Sequence, residues 1–127
     1  MIVADASFIM TALLRPEPAR RLAEIELIQA PHLIDSEVAS AIRRHVRVGD
    51  LDAEAGWNLL HTFRWLAITR HSTFPMLDRV WELRDNLPAH DAAYVALAEA
   101  IDCPLVTVDA RISRAPGLRC TVTVVPG

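Results

Sequence analysis

The sequence predicts an α/β fold built on a short, mainly parallel central sheet. Three observations carry this. "IVAD", "PLVTVD" and "CTVTVV" are brief apolar, β-branched runs of the kind that form buried strands. The segments between them hold apolar residues at helical spacing. Strand and helix alternate along the whole chain, with no repeat, linker or low-complexity stretch, a pattern that favours parallel strands joined by helices. At 127 residues the chain is expected to form one domain, residues 1–127, able to bury a core without staples.

In order, "IVAD" is a buried strand, and "ASFIMTALLRPEP" a helix stopped by Pro16 and Pro18, because proline lacks an amide donor and clashes with the preceding turn. "ARRLAEIELI" puts Leu22, Ile25 and either Glu26 or Ile28 at helical spacing, a second helix. "APHLI" is a brief strand. "DSEVASAIRRHVRVGD" carries both helix signals, with Asp35 or Ser36 as N-cap and Gly49 near the end. "LDAEAGWNLLHTFRWL" reads as a helix with Trp57, Leu60 and Phe63 or Arg64 down one side, and "AITRHS" as a strand. "TFPMLDRVWELRDN", closing before Pro88, and "AHDAAYVALAEAIDC" are helices. The strands "PLVTVD" and "CTVTVV" complete the chain.

Composition narrows the classes. Hydrophobic residues make up 52% and charged residues 23%, the globular range. No uncharged apolar run approaches the roughly 20 residues of a membrane span, and "MIVADAS" lacks the basic start of a secretory leader, so a soluble cytoplasmic protein is expected. Cys103 and Cys120 lie outside any CxxC pairing and read as buried thiols. The histidines His32, His45, His61, His71 and His90 show no zinc-ligand spacing. Net charge is −3, so nothing global announces nucleic-acid binding; yet all 13 basic residues are Arg, the side chain suited to bidentate phosphate contacts.

Within such a fold the acids matter. Ligands of open α/β sheets sit beyond the carboxyl ends of the strands. "MIVAD" and "PLVTVD" each run a buried strand into a carboxylate, Asp5 and Asp109, and the two converge if their strands are neighbours. Capping of the following helix is the plainer reading of either acid alone. Glu37 in "DSEVASAIRR" and Asp91 in "HDAAYVALAEA" fall in first helical turns, where the macrodipole favours a negative charge in any case, but both helix starts can face the same sheet edge. Asp35 reads as a cap, and Glu17, Glu24, Glu26, Asp52, Glu54, Glu82, Asp85 and Glu99 as solvated helix faces.

Taken together, "MIVADAS", "SEVASAIRR" and "HDAAYVALAEAIDCPLVTVD" make a chain that resembles PIN-domain proteins of the VapC toxin type over nearly its whole length. The resemblance implies a PIN-like three-layer α/β/α sandwich and a cytoplasmic endoribonuclease. It would be the toxin half of a toxin–antitoxin pair, cutting structured RNA such as transfer or ribosomal RNA with bound Mg²⁺ or Mn²⁺. It implies Asp5, Glu37, Asp91 and Asp109 as the acidic quartet, with Ser7 and Thr107 lining or bracing it. It also implies a homodimer, and a VapB-type antitoxin that inserts a segment into the site and touches the first two helices at Phe8, Ile9, Leu13, Leu22 and Ile25. Where some relatives carry a further acid after the last motif, this chain has Ala110, Arg111 and Ile112, which leaves open whether one metal or two is bound.

The residue chemistry agrees independently. Gathered carboxylates repel one another unless a cation neutralises them, and an all-oxygen set suits Mg²⁺ or Mn²⁺. Asp5, Asp91 and Asp109 are expected to hold the principal metal, and Glu37 to bind a second metal or orient the attacking water. Arg43, Arg44 and Arg47 follow Glu37 on one helix, and Arg111 and Arg114 follow Asp109. These are candidate RNA contacts, with exposed helix faces as the equal alternative. Trp57, Trp65 and Trp81 are expected to fill core, with an interface patch as the alternative. A phosphotransferase of the haloacid dehalogenase type wants a second acid where Ser7 stands, and the four glycines form no phosphate loop. The remaining rival is a catalytically inactive PIN-like module that binds RNA or protein.

Overall fold

The computed structural model describes residues 1–127, apart from the side chains of Pro16 and Pro18. Five strands, β1 (Ile2–Ala4), β2 (Ile28–Pro31), β3 (Ile68–His71), β4 (Leu105–Thr107) and β5 (Val122–Val124), form one sheet in the order β3-β2-β1-β4-β5. Every neighbouring pair is parallel. β1 is central, with Val3 opposite Leu105 and Ala4 opposite Val106. The order therefore reverses between β1 and β4, and that reversal opens a crevice at the carboxyl edge of the sheet.

The helices are α1 (Ala6–Leu14), α2 (Arg21–Ile25), α3 (Ile34–Arg47), α4 (Ala53–Trp65), α5 (Leu77–Glu82), α6 (Ala89–Ala100) and α7 (Ala110–Ser113). α1, α3 and α4 pack on one another, while α5 packs on α6, which lies along β1, β2 and β4. The core between them is apolar: Val3, Ala4, Phe8, Ile9, Ile34, Val38, Val95 and Leu105 have no exposed surface. Strands buried on both faces read as continuous apolar runs, as "IVA" and "LVT" do.

Several local expectations are corrected. The second strand is Ile28–Pro31, two residues ahead of "APHLI", because Glu26 is already extended and ends α2 after five residues; buried Ile28 belongs to the sheet. α3 begins at Ile34 behind Leu33, without a side-chain cap. Asp35 instead binds Arg70 on β3, through Nε to Oδ2 at 2.8 Å and Nη2 to Oδ1 at 2.7 Å. The cap of α4 is Asp52, which accepts from the Ala55 N–H at 2.8 Å. The segment expected as one helix over 73–86 starts with a 3₁₀ turn, Phe74–Met76, and is helical only to Glu82.

The tryptophans are not core: Trp57, Trp65 and Trp81 are 60%, 87% and 67% exposed. α4 turns Phe63 and Gly56 inward instead, and a Cβ on Gly56 would stand 2.8 Å from Val46 Cγ2, so α3 and α4 meet there closely. Conversely Phe8, Ile9 and Leu13 face the core, leaving Ile25 and half-buried Leu22 as the members of the expected antitoxin-contact set that reach the surface. Glu99 is no solvated face: its side chain is 10% exposed and takes Arg79 Nε at 2.6 Å, Arg79 Nη2 at 3.1 Å and the Arg119 N–H at 2.7 Å. Cys103 is buried, Cys120 half-buried, and both are free thiols, as expected. Among the described residues no helix is long and apolar enough to cross a membrane.

Candidate active site

Asp5 ends β1 and caps α1, so the strand delivers it to the crevice and the helix holds it there. Its Oδ1 accepts from the Phe8 N–H at 3.0 Å and from Ser7 Oγ at 2.7 Å, and its Oδ2 accepts a short bond from Thr107 Oγ1. Thr107, the last residue of β4, is fully buried. Its hydroxyl also accepts the Asp109 N–H at 3.0 Å, so one threonine ties the two strand-end acids together. Burial pushes the Asp5 carboxyl above its ordinary value, and the three donors only partly offset this.

Asp109 caps α7 at the neighbouring strand end and carries the opposite perturbation. Arg111 grips it with Nε at 3.0 Å from Oδ1 and Nη2 at 2.7 Å from Oδ2, which holds this carboxyl below the usual range. The capping reading of both acids therefore holds, and it coexists with their position at the crevice.

Glu37, in the first turn of α3, accepts from the Tyr94 hydroxyl at 2.6 Å. Tyr94 is 1% exposed and projects from α6, so the phenol bridges the helices flanking the crevice. Its proton is held far above the ordinary tyrosine range by burial and by Glu37. Asp91, one turn earlier on α6, has His90 Nε2 at 3.6 Å from Oδ1. Burial raises Glu37 and Asp91 in turn, and each feels the charge of other acids in the set: Glu37 that of Asp91 and Asp5, Asp91 that of Asp109.

Two adjoining cavities open here. One of about 490 Å³ is lined by Ser7, Met10, Glu37, Ser40, Arg44 and His45. The other, about 340 Å³, is lined by Asp91, Asp109, Arg111, Asn86 and Ile112, and His90 lines both. The structure thus gathers Asp5, Glu37, Asp91, Asp109, Ser7 and Thr107 at one edge. It divides the arginines of α3, however. Arg44 shares the Glu37 cavity, whereas Arg43 and Arg47 line a separate apolar groove with Trp57 and Leu60. Arg111 is turned onto Asp109, and Arg114 is exposed beyond it. Tyr94 and His45 were not singled out from the sequence. Tyr94 sits three residues after Asp91, one turn along the same helix face, and that spacing was the available signal.

A PIN domain model matches residues 2–118. Ribonuclease VapC9 of Mycobacterium tuberculosis is 48% identical over 126 residues, covering 99% of either chain. The chain belongs to the PIN-domain family of VapC ribonucleases. Ribonuclease VapC1 of the same organism is 37% identical, with 97% of this chain and 96% of that one covered. Among solved structures, VapC20 of M. tuberculosis, described as a sarcin-ricin loop cleaving toxin, superposes with a TM-score of 0.69 at 14% identity over 93% and 97% of the two chains. VapBC2 of Rickettsia felis, bound to a promoter DNA fragment, gives 0.67 at 17% identity over 96% and 98%. These two show the fold, a VapC-type sheet with its helices.

The donor chemistry of this PIN-domain edge suits a hard divalent cation, being carboxylate oxygen throughout. As the side chains stand, no three of the described His, Cys, Asp or Glu residues are close enough together to hold one ion. Another cavity, about 630 Å³, lies elsewhere, at the amino ends of β4 and β5 beside Cys103, Cys120 and the Arg79–Glu99 pair, where no acid of this set reaches.

Proposed function

We propose that this chain is a metal-dependent endoribonuclease, the toxin of a toxin–antitoxin pair, acting on structured RNA such as transfer or ribosomal RNA. The gathering of four carboxylates at the crevice of a VapC-family fold carries this reading, and the 48% identity to a ribonuclease along the whole chain supports it. Asp5, Asp91 and Asp109 would hold Mg²⁺ or Mn²⁺, with Glu37 holding a second ion or orienting the attacking water. Such an ion would neutralise the clustered charge and acidify a water for attack on phosphorus.

The chain's own residues do the rest. Thr107 and Ser7 fix both oxygens of Asp5 by neutral donors, which orients the carboxylate without cancelling its charge. Tyr94 takes Oε1 of Glu37, so Oε2 is the oxygen free to accept a proton from water. Arg44 and His45, on the wall beside Glu37, are the groups placed to meet an RNA phosphate, in place of Arg43 and Arg47. A VapB-type antitoxin as partner, a homodimer and a cytoplasmic location complete the proposal. The R. felis VapBC2 complex supports the antitoxin as a family trait.

Cleavage of total cellular RNA by antitoxin-free protein, with Mn²⁺ or Mg²⁺, with chelator, and with Asp5→Asn alongside, tests it. Asn retains the cap of α1. The expected result is discrete fragments that vanish with chelator and in the folded variant. A folded Asp5→Asn protein that cuts as fast as wild type would overturn the assignment, and metal binding without any cleavage would move the reading to a binding module.

A further inference from the structure

Three of the four acids at the crevice meet neutral donors or a histidine edge; Asp109 alone meets a guanidinium. Arg111 occupies both of its oxygens, with Nε 3.0 Å from Oδ1 and 3.2 Å from Oδ2, Nη2 2.7 Å from Oδ2, and the Arg111 N–H 3.0 Å from Oδ1. The other bidentate pairs of the protein serve packing: Arg79 and Arg70 are 17% and 29% exposed and tie separate elements together. Arg111 is different. Its side chain is 82% exposed, its partner is two residues away, and an exposed ion pair contributes little to folding. The grip is therefore local, inexpensive to open, and located on an acid of the proposed metal set.

Resting on the metal-site reading above, we propose that Arg111 is a resident counter-ion of the site. In the metal-free protein it fills the place of positive charge at Asp109, and a divalent cation must displace it to use that carboxylate. Displacement leaves the guanidinium in the cavity lined by Asp91 and Asp109, free to swing outward. The device makes cation loading and the position of Arg111 mutually exclusive at one carboxylate, and so sets the affinity of the site.

Mn²⁺ binding, followed by electron paramagnetic resonance of the free ion, tests this without recourse to activity, on wild type, Arg111→Ala and Arg114→Ala. Arg114 also lowers the Asp109 carboxyl through its charge but makes no hydrogen bond to it. Arg111→Ala is expected to bind Mn²⁺ about fivefold more tightly, the upper end for an exposed pair. Arg114→Ala should stay within about twofold of wild type on the same scale. Equal affinity in wild type and Arg111→Ala overturns the counter-ion role alone, as does an equal gain from both substitutions, which would reduce the effect to net charge. Absence of Mn²⁺ binding in all three proteins overturns the metal-site reading itself.

Discussion

Replacing Thr107 by Val keeps the shape of a fully buried side chain and deletes one hydroxyl, which makes it a clean probe of how Asp5 is held. The hydroxyl donates to Asp5 Oδ2 and accepts the Asp109 N–H. A hydrogen bond to a charged group contributes about 1.5–3 kcal/mol, equivalent to roughly 1–2 pKa units on the carboxyl that loses it. Asp5 already titrates above its unfolded value because of burial, and Thr107 is the strongest influence opposing that rise. The variant therefore pushes Asp5 further up. Between the unfolded and folded values the native chain binds more protons than the unfolded one, so stability falls as pH rises through that window. Thr107→Val widens the window upward. Its deficit against wild type should be small in acid below the unfolded carboxyl value, where Asp5 is protonated whether folded or not, and about 1.5–3 kcal/mol larger at a pH above the raised folded values of both proteins. Urea unfolding at the two pH values, with chelator present, measures it. A deficit that is the same at both, or below about 0.5 kcal/mol throughout, would refute the idea that Thr107 sustains the ionised form of Asp5.

Two further outcomes are expected. Arg79→Met should cost about 3 kcal/mol, because it strands Glu99 in a site 10% exposed. Burial alone would raise Glu99, yet Arg79 and the Arg119 N–H hold it below its ordinary value. The pair's contribution is thus present above the unfolded value and lost as pH falls through the folded one, and thermal melts of the two proteins should converge in acid. Tyr94→Phe removes the one donor on Glu37; chemical denaturation should show a loss of about 1–2 kcal/mol, and the acid limb of the cleavage pH profile should move upward as Glu37 protonates more readily.

The sheet was legible because its strands are buried on both faces: "IVA" and "LVT" admit few readings other than core strand, and an acid immediately after each marks the carboxyl edge. The same logic found Asp5 and Asp109. Helix periodicity located α3, α4 and α6 but could not tell which apolar stripe turns inward. Trp57 and Trp65, at helical positions with Leu and Phe neighbours, were expected in the core with an interface patch as the alternative, whereas Gly56 and Phe63 occupy the inward face. Long-range pairs were out of reach altogether. Nothing local distinguishes Asp35 as the partner of Arg70, or Glu99 as that of Arg79, from acids on a solvated face, since each partner arrives from a different element. The separation of Arg43 and Arg47 from Arg44 was hidden for a related reason. They follow Glu37 along the helix, but the turn of α3 sends Arg44 to the crevice and the other two to its flank.

The double employment of Asp5 has a bearing on how inactive relatives could arise. As the cap of α1 and the acceptor of Ser7, Phe8 and Thr107, the position would keep a capping side chain, Asp or Asn, even in a chain that no longer cut RNA. Asp91 accepts no comparable set of hydrogen bonds; beyond its place in the first turn of α6, its ion-pair partner is His90 at 3.6 Å. A descendant drifting toward pure binding could shed Asp91 at little structural cost while keeping Asp or Asn at position 5. Position 5 is thus tied mainly to the fold, and Asp91 is the acid whose loss would bear most directly on the proposed chemistry.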